Sequence, residues 1–204
     1  MNNINIDLTK NVSIDGTANF ASGIPLCGVT VAVLYKGTPV IGVIYDPHRN
    51  EMFSTIKGQG AYLSSNTIEN KKLQIQTGIK DLSNAIINAG CPADPNAFTT
   101  SMKGMAALSP KCRGIRVMAC SALTLVWIAS GRLTAHFGYD LSSWDLVAGA
   151  LLIQESGGKV TDIDGSDYVV ETRSMLVSNG MVHKEILQVL KDADAVSFVP
   201  YQKD

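Results

Sequence analysis

One acidic residue directly precedes a long apolar run in the second half of the chain. In SSWDLVAGALLIQESGG, residues 142–158, positions 146–153 are all apolar or glycine, and Asp145 precedes them beside a tryptophan. Such a run predicts a helix that is buried on nearly all sides. A buried carboxylate is costly unless a positive group meets it. The partner of Asp145 is therefore either the helix N-terminus, capped by Ser142 or Ser143, or a bound cation.

A second acid, Asp15, lies in the stretch SIDGTANF at residues 13–20. An Asp-Gly turn followed by threonine leaves backbone N–H groups free. If a helix begins at Gly16 or Thr17, those groups form an anion site. Asp15 beside them would hold a cation that bridges to the anion. The same residues also fit an ordinary Asp-Gly turn with no ligand.

The overall charge excludes several kinds of partner. The 204 residues include 17 lysines and arginines against 18 acids, which gives a net charge of -1. No basic field is present that would bind nucleic acid or an anionic membrane. An anionic substrate would therefore need local positive charge, either from a metal ion or from backbone N–H groups.

Cysteine usage and the N-terminal residues indicate a compartment. Cys27, Cys91, Cys112 and Cys120 form no C-x-x-C pair, so they predict neither a zinc site nor a disulfide framework but free thiols in a reducing environment. The opening MNNINIDLTK is polar, and no run is long and apolar enough to span a bilayer. We expect a cytoplasmic protein, or an organellar one if a targeting segment lies upstream.

The first half of the chain has the pattern of antiparallel strands. Two β-rich runs at 29–35 and 40–46 flank the sequence KGTP, which is a hairpin signal. A third run at 51–56 follows the turn DPHRN, and KGQG then turns the chain again. An antiparallel meander is predicted.

The second half mixes helices and strands within what we expect to be a single domain, residues 1–204. Helices are predicted at 96–108, 121–130, 144–156 and 182–192, and strands at 115–118, 133–137, 159–163 and 174–178. This order predicts a layered α/β or α+β fold.

Two stretches together resemble a known family. IDGTANFASGIP is similar to the metal-binding signature of the inositol monophosphatase family, D-P-[IL]-D-G-T-x-N-F. WDLVAGALLIQESGG is similar to that family's second signature, W-D-x-A-A-G-x-x-I-x-E-x-G-G. Between them, GVIYDPHRNEMFSTIKGQGAYLSSN resembles the family's hairpin region. The resemblance extends from about residue 12 to the C-terminal region, and the signatures stand in the family's order.

The resemblance implies a layered αβαβα sandwich of the inositol monophosphatase and fructose bisphosphatase type. It also implies Mg²⁺-dependent hydrolysis of a small polyol phosphate, such as inositol monophosphate, by a metal-activated water. By position, Asp15, Asp145 and the carbonyl of Ile14 would bind the metal. Gly16 and Thr17 would offer N–H groups to the phosphate, and the Thr17 hydroxyl would orient the water. Asp145 would also contact the substrate. A homodimer is expected by resemblance only.

The chain departs from the family's pattern at several positions. Val12 replaces an aspartate ligand, Ser13 replaces a proline, and Gly138 stands where the family often has an acid that contacts the substrate. Only a short segment precedes Val12, so we expect the family's N-terminal helices and Glu-rich motif to be missing. Mg²⁺ affinity depends on ligand charge, which predicts a poor phosphatase with an uncovered apolar sheet face. The alternatives are a catalytically impaired homologue that binds phosphorylated ligands or a partner chain, and an incomplete sequence.

Overall fold

The computed structural model describes residues 8–75 and 78–199 of the chain. The strands are β1 (Leu8–Asp15), β2 (Gly28–Tyr35), β3 (Thr38–Asp46), β4 (Glu51–Ile56), β5 (Ala61–Ser65), β6 (Lys71–Leu73), β7 (Ile86–Ala89), β8 (Gly114–Arg116), β9 (Ala135–Gly138), β10 (Lys159–Thr161) and β11 (Met175–Ser178). The helices are α1 (Thr17–Ala21), α2 (Pro95–Leu108), α3 (Ser121–Ala129), α4 (Ser143–Glu155) and α5 (His183–Asp192), with a short 3₁₀ turn at Leu82–Asn84. Among these described residues, no helix has both the length and the apolar character needed to cross a bilayer.

The first sheet is an antiparallel meander in which β1 to β6 pair in chain order. The predicted hairpin is confirmed as β2 and β3, which are joined through Lys36 (φ 49°) and Gly37 (φ 74°). Two residues with positive φ give the turn whose twist matches that of the flanking strands. The predicted run at 51–56 is β4. The strands β1, β5 and β6 extend the sheet beyond the prediction.

The second sheet has the order β10-β11-β9-β7-β8. In it β7 runs parallel to β8 and β9, whereas β10 and β11 are antiparallel to their neighbours. The strand predicted at 115–118 is wrong at its C-terminal end, because β8 already ends at Arg116. The Met118 N–H donates to the side chain of Asn88, and Ala119 has a φ of 52°, so the chain turns away there.

Helices α3 and α4 lie between the two sheets and supply much of the shared core. All residues from Leu146 to Ile153 are buried, as the apolar run predicts. A Cβ at Gly149 would lie 2.4 Å from the Leu125 side chain, so the missing side chain allows α3 to pack closely on α4. Helices α2 and α5 pack on the far side of the second sheet. The resulting layers, β-α-β-α, agree with the predicted sandwich without its first helical layer.

The outer face of the first sheet is apolar. Val12 on β1 is paired with Val31 on β2, which is paired with Val43 on β3, so three valines form a row across the strands. Val12 is 69% exposed, and Ile56 on the same face is 46% exposed. Because this row points away from α3 and α4, the sheet presents an apolar surface outward, as the sequence predicts.

Candidate active site

A cavity of about 370 Å³ lies where the C-terminal end of β1 meets the N-termini of α3 and α4. Three of the predicted site residues, Asp15, Thr17 and Asp145, line it together although 130 positions separate the first acid from the last. Ile14 and Gly16 flank Asp15 but are not among the lining residues. The fold therefore brings both signature aspartates to one cavity.

Asp15 is held by backbone amides from two elements. Its Oδ1 accepts a hydrogen bond from the Gly16 N–H at 2.7 Å, and its Oδ2 accepts one from the Ala122 N–H in the first turn of α3 at 2.5 Å. Burial raises the pKa of Asp15, and these amide bonds partly oppose that rise. Each carboxylate oxygen has a second lone pair, so Asp15 is oriented but keeps acceptor capacity towards the cavity.

Gly16 makes the turn from β1 into α1 possible. It has a φ of 79°, which only glycine adopts at low cost, and a Cβ at this position would lie 2.6 Å from the Leu26 carbonyl oxygen. Thr17 follows as the first residue of α1, where backbone N–H groups have no intrahelical acceptor. Helix α1 therefore begins at Thr17, one of the two starts considered from the sequence.

Asp145 lies in the first turn of α4, as predicted. Ser142 is the N-cap residue by its backbone angles, but its side chain makes no capping hydrogen bond. Instead, Ser13 on β1 donates from its hydroxyl to Asp145 Oδ1 at 2.9 Å. Burial and the nearby charge of Asp15 raise the pKa of Asp145 to about 6, while the Ser13 hydrogen bond lowers it. The charge of Asp15 therefore disfavours the ionised form of Asp145, and a cation beside both acids would relieve that repulsion.

The carboxylates are the charged groups among the described residues that line the cavity. Its lining includes Asp15, Asp140 and Asp145, and none of the described residues that line it is a lysine or an arginine. Asp140 forms an ion pair with Arg173, which leaves the other two acids as the source of uncompensated negative charge. A phosphate that enters such a cavity meets negative charge, so it needs a cation or backbone N–H groups beside it.

The donor set fits a hard divalent cation, although with few ligands. Carboxylate oxygens suit Mg²⁺, which keeps several of its waters and often binds through one or two carboxylates together with substrate phosphate. Over residues 8–75 and 78–199, no cluster of three or more histidines, cysteines or acids is placed to hold a metal ion. A Mg²⁺ ion held by the two aspartates would therefore need water and a phosphoryl group to complete its coordination.

Several neighbouring residues were not predicted as site residues from the sequence. Asn88 on β7 and His136 on β9 line the inner part of the cavity, and Ala122 supplies an amide to Asp15. Ser13 stands out in the sequence only as a replacement for proline, yet its hydroxyl contacts Asp145. The one sequence signal for Asn88 is a polar residue inside the apolar run AIINAG, which indicates a buried polar side chain with a specific partner.

The layers and the cavity together define a layered α/β protein whose two signature aspartates meet beside a helix N-terminus. A profile of the inositol monophosphatase family matches residues 14–195, and the chain belongs to that family.

Relatives with assigned names agree with this assignment. The chain is 39% identical over 183 residues to an inositol-1-monophosphatase of Caulobacter vibrioides, covering 88% of this chain and 70% of the relative. It is 34% identical over 180 residues to the Nus factor SuhB of Escherichia coli, covering 88% of this chain and 65% of the relative. The structure of the inositol monophosphatase from Anabaena superposes with a TM-score of 0.82 at 29% identity, covering 91% of this chain and 75% of that one. The chain thus spans about two thirds of the length of these curated relatives.

Proposed function

We propose that the chain is a Mg²⁺-dependent phosphomonoesterase that acts on a small polyol phosphate such as inositol monophosphate. The observation that supports this proposal most directly is the placement of Asp15 and Asp145 at one acidic cavity. The name of the Caulobacter relative supports the class of substrate. Within the described part of the chain no basic side chain lines the cavity to meet a phosphate, so the positive charge would come from an ion held by the two carboxylates together with backbone N–H groups.

The residues of this chain have distinct roles in the proposed reaction. Asp15 and Asp145 would hold Mg²⁺, with the backbone carbonyl of Ile14 as a further oxygen ligand. When bound, Mg²⁺ supplies an activated water and neutralises phosphoryl charge. The Thr17 hydroxyl would orient the attacking water. Gly16 and Thr17 would bind the phosphate through their N–H groups, and because the Gly16 N–H already donates to Asp15, the Thr17 N–H is the better donor of the two.

The experiment is phosphate release from inositol monophosphate with and without Mg²⁺, comparing wild type with Asp145→Asn. We expect the variant to lose activity by about a hundredfold or more. Removal of a charged ligand weakens binding of the ion that would stabilise the negative charge developing on the phosphoryl group. Asp140→Asn is the matched control, since it removes an acid of the same cavity that is already paired with Arg173. Equal activity of wild type and Asp145→Asn would overturn the mechanism.

A second candidate function is binding of a phosphorylated ligand without turnover. The specific observation that favours it is that the described residues form no metal-holding cluster of three or more side chains. One of the relatives above is named Nus factor SuhB, a name that does not mention phosphatase activity. Calorimetry with inositol monophosphate and Mg²⁺ separates the two candidates, because binding without phosphate release supports the second and turnover excludes it.

A further inference from the structure

His136 is a buried histidine that lines the cavity and has no part in the chemistry proposed above. It lies on β9, paired with Asn88 on β7, and only 1% of the residue is exposed. Burial lowers its pKa to about 4, so the ring is neutral at pH 7. Its Nε2 is buried and has no hydrogen-bond partner in the part of the chain that the structure describes. Buried polar atoms without a partner are rare, and an unpaired atom on a residue that lines the cavity calls for a partner that the described residues do not supply.

Asn88 holds the other ring nitrogen. The Asn88 side-chain oxygen accepts from the Met118 N–H at 3.1 Å, so the amide nitrogen is the group that faces His136. Nδ1 of His136 lies 3.1 Å from that nitrogen and 3.1 Å from the Asn88 backbone carbonyl oxygen. If Nδ1 accepts from the amide, Nε2 carries the proton; if Nδ1 donates to the carbonyl, Nε2 is an acceptor. In both tautomers the described residues leave Nε2 unsatisfied.

Gly138 packs against the imidazole ring of His136. A Cβ at this position would lie 3.0 Å from Nε2 of His136 and 3.2 Å from Cε1, which is closer than ordinary van der Waals contact. Gly138 is not among the residues with positive φ, so its backbone does not require glycine. The missing side chain therefore lets the imidazole ring lie directly against the Gly138 backbone.

We propose that Nε2 of His136 binds a hydroxyl group of the phosphorylated substrate, which makes His136 a specificity residue for polyol phosphates over esters without hydroxyls. A hydroxyl both donates and accepts, so it satisfies Nε2 in either tautomer, whereas a phosphate oxygen satisfies only the N–H form. A site built to hydrogen-bond a substrate hydroxyl rejects the analogue that lacks it, because the buried group then stays unpaired. The inference rests on the proposed function, since it places the phosphoryl end of the substrate at the two aspartates of the same cavity.

The test compares inositol monophosphate with phenyl phosphate, whose organic group carries no hydroxyl. We expect His136→Phe to lower the ratio of their kcat/KM values by about tenfold or more, and His136→Gln, which keeps a donor and an acceptor, to lower it less. His183→Gln is the matched control: His183 is also a buried neutral histidine, but it is bound by Thr161 and Ser178 and does not line the cavity. A ratio within twofold of wild type in His136→Phe, or an equal fall in His183→Gln, would overturn the proposal.

A binding measurement on the wild-type chain keeps this inference separate from the proposed function. With ¹⁵N-labelled histidine, we expect the Nε2 resonance of His136 to shift on addition of inositol monophosphate with Mg²⁺, and to shift much less with phenyl phosphate. The measurement needs neither turnover nor a folded variant. A shift without phosphate release supports the inference and defeats the phosphatase assignment, whereas phosphate release without any shift defeats the inference alone.

Discussion

The Ser13 hydroxyl donates a 2.9 Å hydrogen bond to the carboxylate of Asp145, joining β1 to the first turn of α4 across 132 positions of sequence. Asp145 therefore has two neighbours from the same strand end with opposite effects on its pKa. The charge of Asp15 raises that pKa, and the Ser13 hydrogen bond lowers it. The ionisation of Asp145 therefore depends on its burial and on two residues at the end of β1, and single substitutions of those two residues test this dependence.

Ser13→Ala removes the hydrogen bond and keeps the strand. We expect the titration midpoint of Asp145 to move upward from about 6 by on the order of one pH unit, because hydrogen bonds to charged groups favour the charged form. A ¹³C NMR titration of the carboxyl carbon measures it. Ser142→Ala is the control, since Ser142 lines the same cavity and its side chain makes no capping bond. An unchanged midpoint in Ser13→Ala would contradict the geometry.

Asp15→Asn is expected to act on Asp145 in the opposite direction. Without the neighbouring negative charge, the pKa of Asp145 falls from about 6 towards that of an ordinary aspartate. The same substitution places an amide NH₂ against a backbone N–H of Gly16 or Ala122, which costs about 1–3 kcal/mol of unfolding free energy. NMR titration and urea unfolding follow the two effects separately. A rise in the Asp145 midpoint would show that the two acids do not repel each other.

Mg²⁺ binding is expected to depend on pH through both aspartates. The pKa of Asp145 is raised to about 6 and that of Asp15 is also raised, and a carboxylate must be deprotonated to bind metal. The contribution of Asp145 to the affinity is therefore fully present well above pH 6 and falls as the pH drops through that value, by roughly tenfold per pH unit. Calorimetry at pH 5, 6 and 7.5 measures this slope. Asp145→Asn should flatten it, and a pH-independent affinity in wild type would contradict the assigned ligands.

Local patterns in the sequence predicted much of the fold. The alternating runs at 29–35 and 40–46 predicted a hairpin because strand periodicity and turn chemistry are both local. The apolar run at 146–153 predicted a helix buried all round, and the structure confirms it. The family resemblance picked out Asp15 and Asp145 through their signatures, and both line the same cavity.

Contacts that depend on tertiary register were not predictable in this way. Nothing in the local sequence shows that β1 ends beside α4, so the bond from Ser13 to Asp145 could not be foreseen. The pairing of Asn88 with His136 depends on β7 lying parallel to β9. The segment that connects these two strands carries no sequence signal for their parallel pairing. The strand β7 is only four residues long, which is too short for its period to be distinguished from that of a buried helix segment.

Gly16→Ala tests whether the turn from β1 into α1 depends on the absence of a side chain. Two costs add: a φ of 79° that alanine adopts poorly, and a Cβ that would lie 2.6 Å from the Leu26 carbonyl oxygen, a backbone atom that cannot move alone. Gly23 provides the matched control in the next turn. Its φ is 70°, but a Cβ there meets nothing within 4 Å, so Gly23→Ala carries the conformational cost alone.

We therefore expect Gly23→Ala to lower the free energy of unfolding by about 1–2 kcal/mol, and Gly16→Ala to lower it by roughly 3 kcal/mol or more. Urea unfolding curves of wild type and both variants, fitted with one shared m-value, give the two losses in unfolding free energy. Because the extra loss in Gly16→Ala comes from the approach of the Leu26 segment, equal losses in the two variants would mean that this segment does not pack against the turn that positions Asp15.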